Sequence, residues 1–141
     1  MQKCVLLLLL ATLASCSVTQ PDHPDTILSD QLTDCAYAGT RYLMLARELG
    51  ATPRISYAQA GFYNAAAEAL SSKAHAVARF AHAREQYFKD VESNPAQQSA
   101  QARKAAMLQA LASNLDKCAQ LTAAHSDTIQ PKLKEYLQHA K

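Results

Sequence analysis

The sequence predicts an all-α protein, an antiparallel three- or four-helix bundle. Three observations lead there. Apolar residues recur at helical spacing over long segments, and no segment shows the period-two alternation of a strand. Alanine, leucine and glutamine are common while there are only three glycines and no tryptophan, so helix formers dominate and small side chains let helices pack closely. The 141 residues suit one domain with a real core, and no fixed-period repeat points to a solenoid.

The first segment, residues 1–15, reads as a secretion signal. Lys3 supplies the positive start, Val5 to Leu10 is an unbroken apolar run, and small residues follow. The run is shorter than the roughly 20 residues needed to span a bilayer, which argues against a membrane anchor. Leu13-Ala14-Ser15-Cys16 matches all four positions of the lipobox, and the segment resembles that of bacterial lipoproteins. The competing reading is an ordinary secretory signal with an accidental cysteine. The resemblance covers only the first 16 residues. It implies diacylglyceryl attachment to the Cys16 thiol, cleavage before Cys16 and acylation of the new amine. Two or three chains on one residue give durable attachment, since each buried methylene contributes roughly 0.8 kcal/mol. Ser17 resembles the residues that permit transfer to an outer membrane, so the resemblance implies a lipid-anchored protein facing the periplasm there.

Residues 16–25 would then be the lipidated N-terminus and a tether, polar and carrying Pro21 and Pro24. Residues 26–141 form the bundle domain. Its first helix is expected over 26–49, because Leu28, Leu32, Cys35, Gly39, Tyr42, Ala46 and Leu49 alternate spacings of four and three. Gly50 suits the position after a helix end. The second is expected from 53 or 56 to 92, with Ser56 and Gln59 as a capping box and a break possible at Ser71-Ser72. Ile55, Ala58, Phe62, Ala65, Ala69, Ala76, Phe80, Ala83, Tyr87 and Val91 would form its inner face. Asn94-Pro95-Ala96-Gln97 reads as the start of a third helix running to about 125. It carries Leu108, Leu111, Leu115, Cys118 and Thr122. Ser126 or Asp127 would cap a short fourth helix, with Pro131 tolerated only in its first turn.

The lipoprotein resemblance also bears on the cysteines. Cys4 would be removed and Cys16 lipidated, which leaves Cys35 and Cys118 in an oxidising compartment. A Cys35–Cys118 disulfide stapling the bundle is the expectation, against the alternative of two buried thiols.

Little chemistry is legible. The formal net charge of +2 falls by one with Lys3 removed, and the basic residues are scattered, which gives no case for a nucleic-acid partner. His75 and His82 lie two turns apart, too far to share a metal unaided. There is no Glu-x-x-His, no Cys-x-x-Cys-His and no nucleophile or phosphate-loop motif. Met44 and His125 could act as axial haem ligands across a bundle, but an apolar filler and a helix-end histidine are the favoured readings. Tyr37, Tyr57 and Tyr63 lie partly off the core stripes and could form an exposed aromatic surface, against the plainer reading of half-buried tyrosines. The expectation is a non-enzymatic module, without metal or cofactor, that binds a protein partner at the outer membrane. In outline it looks similar to secretion-system pilotins and to helical periplasmic immunity proteins. The alternative is a bundle binding a small molecule, lipid or haem.

Overall fold

The computed structural model describes residues 23–92 and 99–140. The expected signal segment, Cys16 and most of the expected tether lie outside these, as do the expected helix start at Asn94-Pro95-Ala96-Gln97 and Lys141. Five helices are described, α1 (Pro24–Glu48), α2 (Tyr57–Leu70), α3 (Lys73–Glu92), α4 (Ala100–Ala124) and α5 (Ser126–His139). They form a helical bundle closed by one disulfide.

Helix α1 starts two residues earlier than expected, inside the predicted tether. Pro24 occupies the first helical position, and His23 Nδ1 accepts from the Asp25 N–H at 3.3 Å. Proline suits that position because its missing N–H has no helical acceptor anyway. At the other end Gly50, at φ +65°, closes a Schellman turn: its N–H reaches the Arg47 carbonyl, and the Ala51 N–H reaches that of Ala46 at 2.8 Å.

Helix α1 is the axis of the bundle. It packs against α2, α3 and α4, and α5 lies on α2 and α4. A broad arc of α1 is therefore buried, including Leu28, Leu32, Tyr42 and Leu45, with Tyr63, Leu70, Leu111, Leu115 and Ile129 facing it from the other helices. Gly39 permits the close crossing with α2: a methyl there would stand 3.1 Å from the Ala60 Cβ.

The expected second helix is two. Its capping box forms as anticipated, with Gln59 N–H to Ser56 Oγ at 3.2 Å and Ser56 N–H to Gln59 Oε1 at 2.9 Å. The chain then breaks at Ser71-Ser72. Ser72 Oγ caps α3 through the His75 N–H at 3.1 Å. The break also corrects the expected inner face. Ala58 is exposed, whereas Ala60, Tyr63, Ala66, Ala67 and Leu70 are buried. A stripe drawn continuously through 71–72 carries the phase of α3 into α2, and the break resets that phase.

Helix α4 takes Ser99 as its cap, through the Ala102 N–H at 3.2 Å. The predicted caps of the last helix are also corrected. Ser126 is already helical, and α5 follows His125 with no side-chain cap. Pro131 therefore stands in the second turn of α5, on its exposed side, where the missing hydrogen bond leaves a carbonyl that water can satisfy. Cys35 and Cys118 are joined, with S–S 2.07 Å and Cα atoms 5.8 Å apart.

Candidate functional site

Two ladders of side chains fix α3 alongside α1. Asp30 accepts from His75 Nε2 at 2.6 Å, and Asp34 holds both Nε and Nη2 of Arg79 at 3.0 and 2.5 Å. Each helix contributes partners four residues apart, and both numberings rise together, so α1 and α3 run parallel. Helix α4 lies on α1 in the opposite sense, through Cys35–Cys118 at one end and Glu48–Lys104 at the other. Among the described residues the backbones of α3 and α4 do not approach closely, and the two helices meet through side chains.

The space between them is a groove of about 330 Å³. Tyr37 and Ala38 of α1 form its floor, Ala83 and Tyr87 one wall, and Leu111 and Asn114 the other. Tyr37 meets Phe80 edge-on at 5.3 Å and Tyr87 at 5.7 Å between ring centroids. The Arg41 guanidinium stacks 5.3 Å from the centre of the Tyr87 ring and donates to its hydroxyl at 3.4 Å. The Tyr87 hydroxyl in turn points at Met107 Sδ, 3.6 Å away, and so reaches across to α4.

Burial, reinforced by Tyr87, pushes the Tyr37 phenol above its ordinary range. The hydrogen bond to Tyr87 holds Arg41 more firmly protonated. At neutral pH the groove therefore offers a phenol O–H and aromatic edges, with the Arg41 cation stacked on Tyr87 beside it. These groups bind and orient. None is a nucleophile paired with a base.

No family model, no curated protein and no solved structure matches this chain. The functional reading therefore rests on its own residues.

The tyrosines proposed as one aromatic surface do not form it. Tyr63 is in the core, where burial raises its pKa, Tyr57 is exposed at the start of α2, and Tyr37 faces α3. Met44 and His125 are also kept apart. They lie on opposite sides of the Cys35–Cys118 link, about 24 Å from one another along the bundle at 1.5 Å per residue. Met44 is on the surface, as is His125. Among the described residues no three His, Cys, Asp or Glu side chains could hold a metal ion. No described helix is long and apolar enough to cross a membrane.

A second hollow, about 710 Å³, lies between α2, the start of α3 and α5. Lys73, Lys132, Glu135, Tyr136 and His139 border it, and much of its charge is already matched: Lys132 binds Asp25, and Tyr136 donates to Glu68. That bond to Glu68 is the main reason the Tyr136 phenol titrates above its usual range.

Sequence reasoning missed two features. One is the Arg41–Tyr87–Tyr37 cluster. Its only advance signal was the matched four-residue spacing of Asp30 with Asp34 and of His75 with Arg79. The other is a second apolar stripe on α3, formed by Ala74, Val77, Ala81 and Phe88. All four are exposed, Val77 at 59% and Phe88 at 50%.

Proposed function

We propose that this protein is a lipid-anchored, periplasm-facing docking module at the outer membrane, held by Cys16, which takes a segment of a partner protein into the groove between α3 and α4. The observation that carries the docking role is the cluster of Tyr37, Tyr87 and Arg41 at the groove. Tyrosine and arginine are the residues through which protein interfaces gain most of their affinity, because they join large contact area to a directed hydrogen bond. Asp34–Arg79 and the disulfide hold the walls apart before any partner arrives, which limits the ordering cost of association. The anchor rests on the lipobox resemblance at residues 13–16.

Site-specific photo-crosslinking in intact envelopes tests the docking role. A photoreactive residue at Ala83 or Asn114 should give one discrete protein adduct, absent when the probe sits at exposed Lys117 and weakened by Arg41→Ala. Adducts to lipid alone, or a co-purifying small molecule or haem seen by absorbance and mass spectrometry, would favour a ligand-binding bundle instead. Fatty-acid labelling tests the anchor separately, since Cys16→Ala should abolish the label.

A further inference from the structure

A smaller hollow, of about 110 Å³, lies on another side of α4, facing α2 and the turn that precedes it. Its floor is made of two phenols. Tyr42 of α1 and Tyr63 of α2 both line it, and both are more than nine-tenths buried, at 3% and 6% exposure. The Tyr42 hydroxyl accepts from the Arg54 N–H at 3.2 Å, and its own proton has no acceptor among the described residues. The Tyr63 hydroxyl makes no hydrogen bond among them. Since no fully buried side-chain oxygen of the described residues is without a partner, the Tyr63 oxygen must be open to the hollow.

The rest of the lining also donates. Gln59 Oε1 accepts from the Ser56 N–H at 2.9 Å, which commits its oxygen and leaves its amide N–H groups to donate. Arg54 stands at the mouth, its side chain 62% exposed, and donates to Asp116 Oδ1 at 3.0 Å. Asp116 is the one acid of the lining, and it bonds neither hydroxyl. A hollow rich in donors, with its acceptors already engaged, suits an acceptor that carries charge. A buried O–H without an acceptor is costly, and hydrogen bonds to a charged acceptor are the stronger kind. Size narrows the choice. At roughly 30 Å³ per water, the space holds about three or four waters, or a carboxylate with a carbon or two behind it. Ile55 and Leu115 supply apolar wall for those carbons. Phosphate or sulfate, with oxygen on every side, would set oxygens against that wall.

We infer that this hollow is a binding site for a carboxylate group, which accepts from the Tyr42 and Tyr63 hydroxyls at the floor and meets Arg54 at the mouth. The group belongs either to a small free acid or to the carboxyl end of a polypeptide, since both present the same two oxygens. Burial raises the Tyr63 pKa, so this phenol keeps its proton at neutral pH and donates. Asp116 competes for Arg54 and opposes a second negative charge, which keeps the binding weak. A ligand of about four heavy atoms can hardly bind tighter than tens of micromolar, and the competition from Asp116 brings the expectation into the millimolar range. The hollow and the groove lie on different sides of α4, so failure of one leaves the other standing.

Sodium acetate, titrated at neutral pH and constant ionic strength into the full chain isotope-labelled in its tyrosine rings, reads the site by nuclear magnetic resonance. Saturable shifts are expected at Tyr42 and Tyr63 and not at exposed Tyr57, with a dissociation constant of about 1 mM. Tyr63→Phe keeps the buried ring and loses only the hydroxyl. Followed at Tyr42, it should weaken acetate about tenfold. Asp116→Asn should tighten acetate about threefold, a gain that misfolding cannot imitate. Acetamide, of similar shape without the charge, should give no saturable shift at the same concentrations. N-acetylglycine carries its carboxylate on a peptide bond. Tighter binding than acetate would assign the site to a chain end, and binding no tighter would assign it to a small free acid. No saturable shift with either carboxylate overturns the proposal. So does an equal response to acetamide or chloride, or a Tyr63→Phe chain that binds acetate as well as the native one.

Discussion

Ser29 shows how much a single hydroxyl does in this bundle. It is fully buried on α1, and its Oγ donates to the Ala67 carbonyl at 2.9 Å near the end of α2. The same oxygen lies 2.8 Å from Ser71 Oγ, and Ser71 also reaches the Ala67 carbonyl. One α1 side chain therefore holds the last turn of α2 where the backbone turns away toward α3. Removing one member of a buried neutral pair costs about 1 kcal/mol. Ser29→Ala and Ser71→Ala should each lower the urea midpoint by that order. Because both lose the same contact, the double variant should lose less than the sum. Strict additivity would mean that the two hydroxyls act independently.

At the scale of the element, legibility followed contrast. Helix α1 was readable because Leu28, Leu32, Cys35, Tyr42 and Ala46 alternate with polar positions and Gly50 marks its end, whereas Pro24, read as tether, is its first residue. Helix α2 was not, because Ala58, Ala60, Ala65, Ala66, Ala67 and Ala69 look alike to a periodicity argument while only three of them are buried. Tertiary packing chose the face, and Tyr63 went inside with it. The groove was illegible for a related reason, since Tyr37, Arg41, Tyr87 and Met107 come from three helices and meet only after assembly. Electrostatics adds a testable link between elements. Lys104 of α4 donates to Glu48 of α1 at 3.0 Å, and this bond lowers the Glu48 pKa below its ordinary 4.5. A lowered folded pKa stabilises the bundle fully above the unfolded value, and that contribution is lost as pH falls through the folded one. Lys104→Met should therefore be slightly less stable than the native chain at neutral pH. The deficit should close as pH drops below 4.5 and should shrink with added salt, since both side chains are largely exposed. A deficit that persists in acid would assign the effect to packing of the lysine stem.

The whole molecule depends on how α4 is attached. Helix α1 holds α2 most broadly, and α4 meets α1 about as closely as α3 does, through Leu111 and Leu115, the Glu48–Lys104 pair and the disulfide, with further contacts to Tyr87, Arg54 and α5. Cys35 and Cys118 are 83 residues apart in sequence. Closing a loop of that size removes unfolded-state entropy worth about 4–5 kcal/mol, an upper figure because residual structure in the unfolded chain reduces it. Reduction should therefore lower stability by a large part of that amount. It should also raise the urea m-value, because the freed chain exposes more surface on unfolding. The loss should be uneven in the native state. Both half-cystines are buried, so two thiols in their place still pack, and α1 with α2 and α3 keeps its core. Helix α4 loses its one covalent hold on the axis. Hydrogen exchange of the reduced protein should therefore accelerate most in α4 and α5, with α1 and α2 changing only through global unfolding. Since α4 also forms a wall of the groove, reduction should weaken partner crosslinking from Asn114. Equal acceleration of exchange in every helix would instead show that the staple acts on the bundle as one cooperative unit, with no separate hold on the groove.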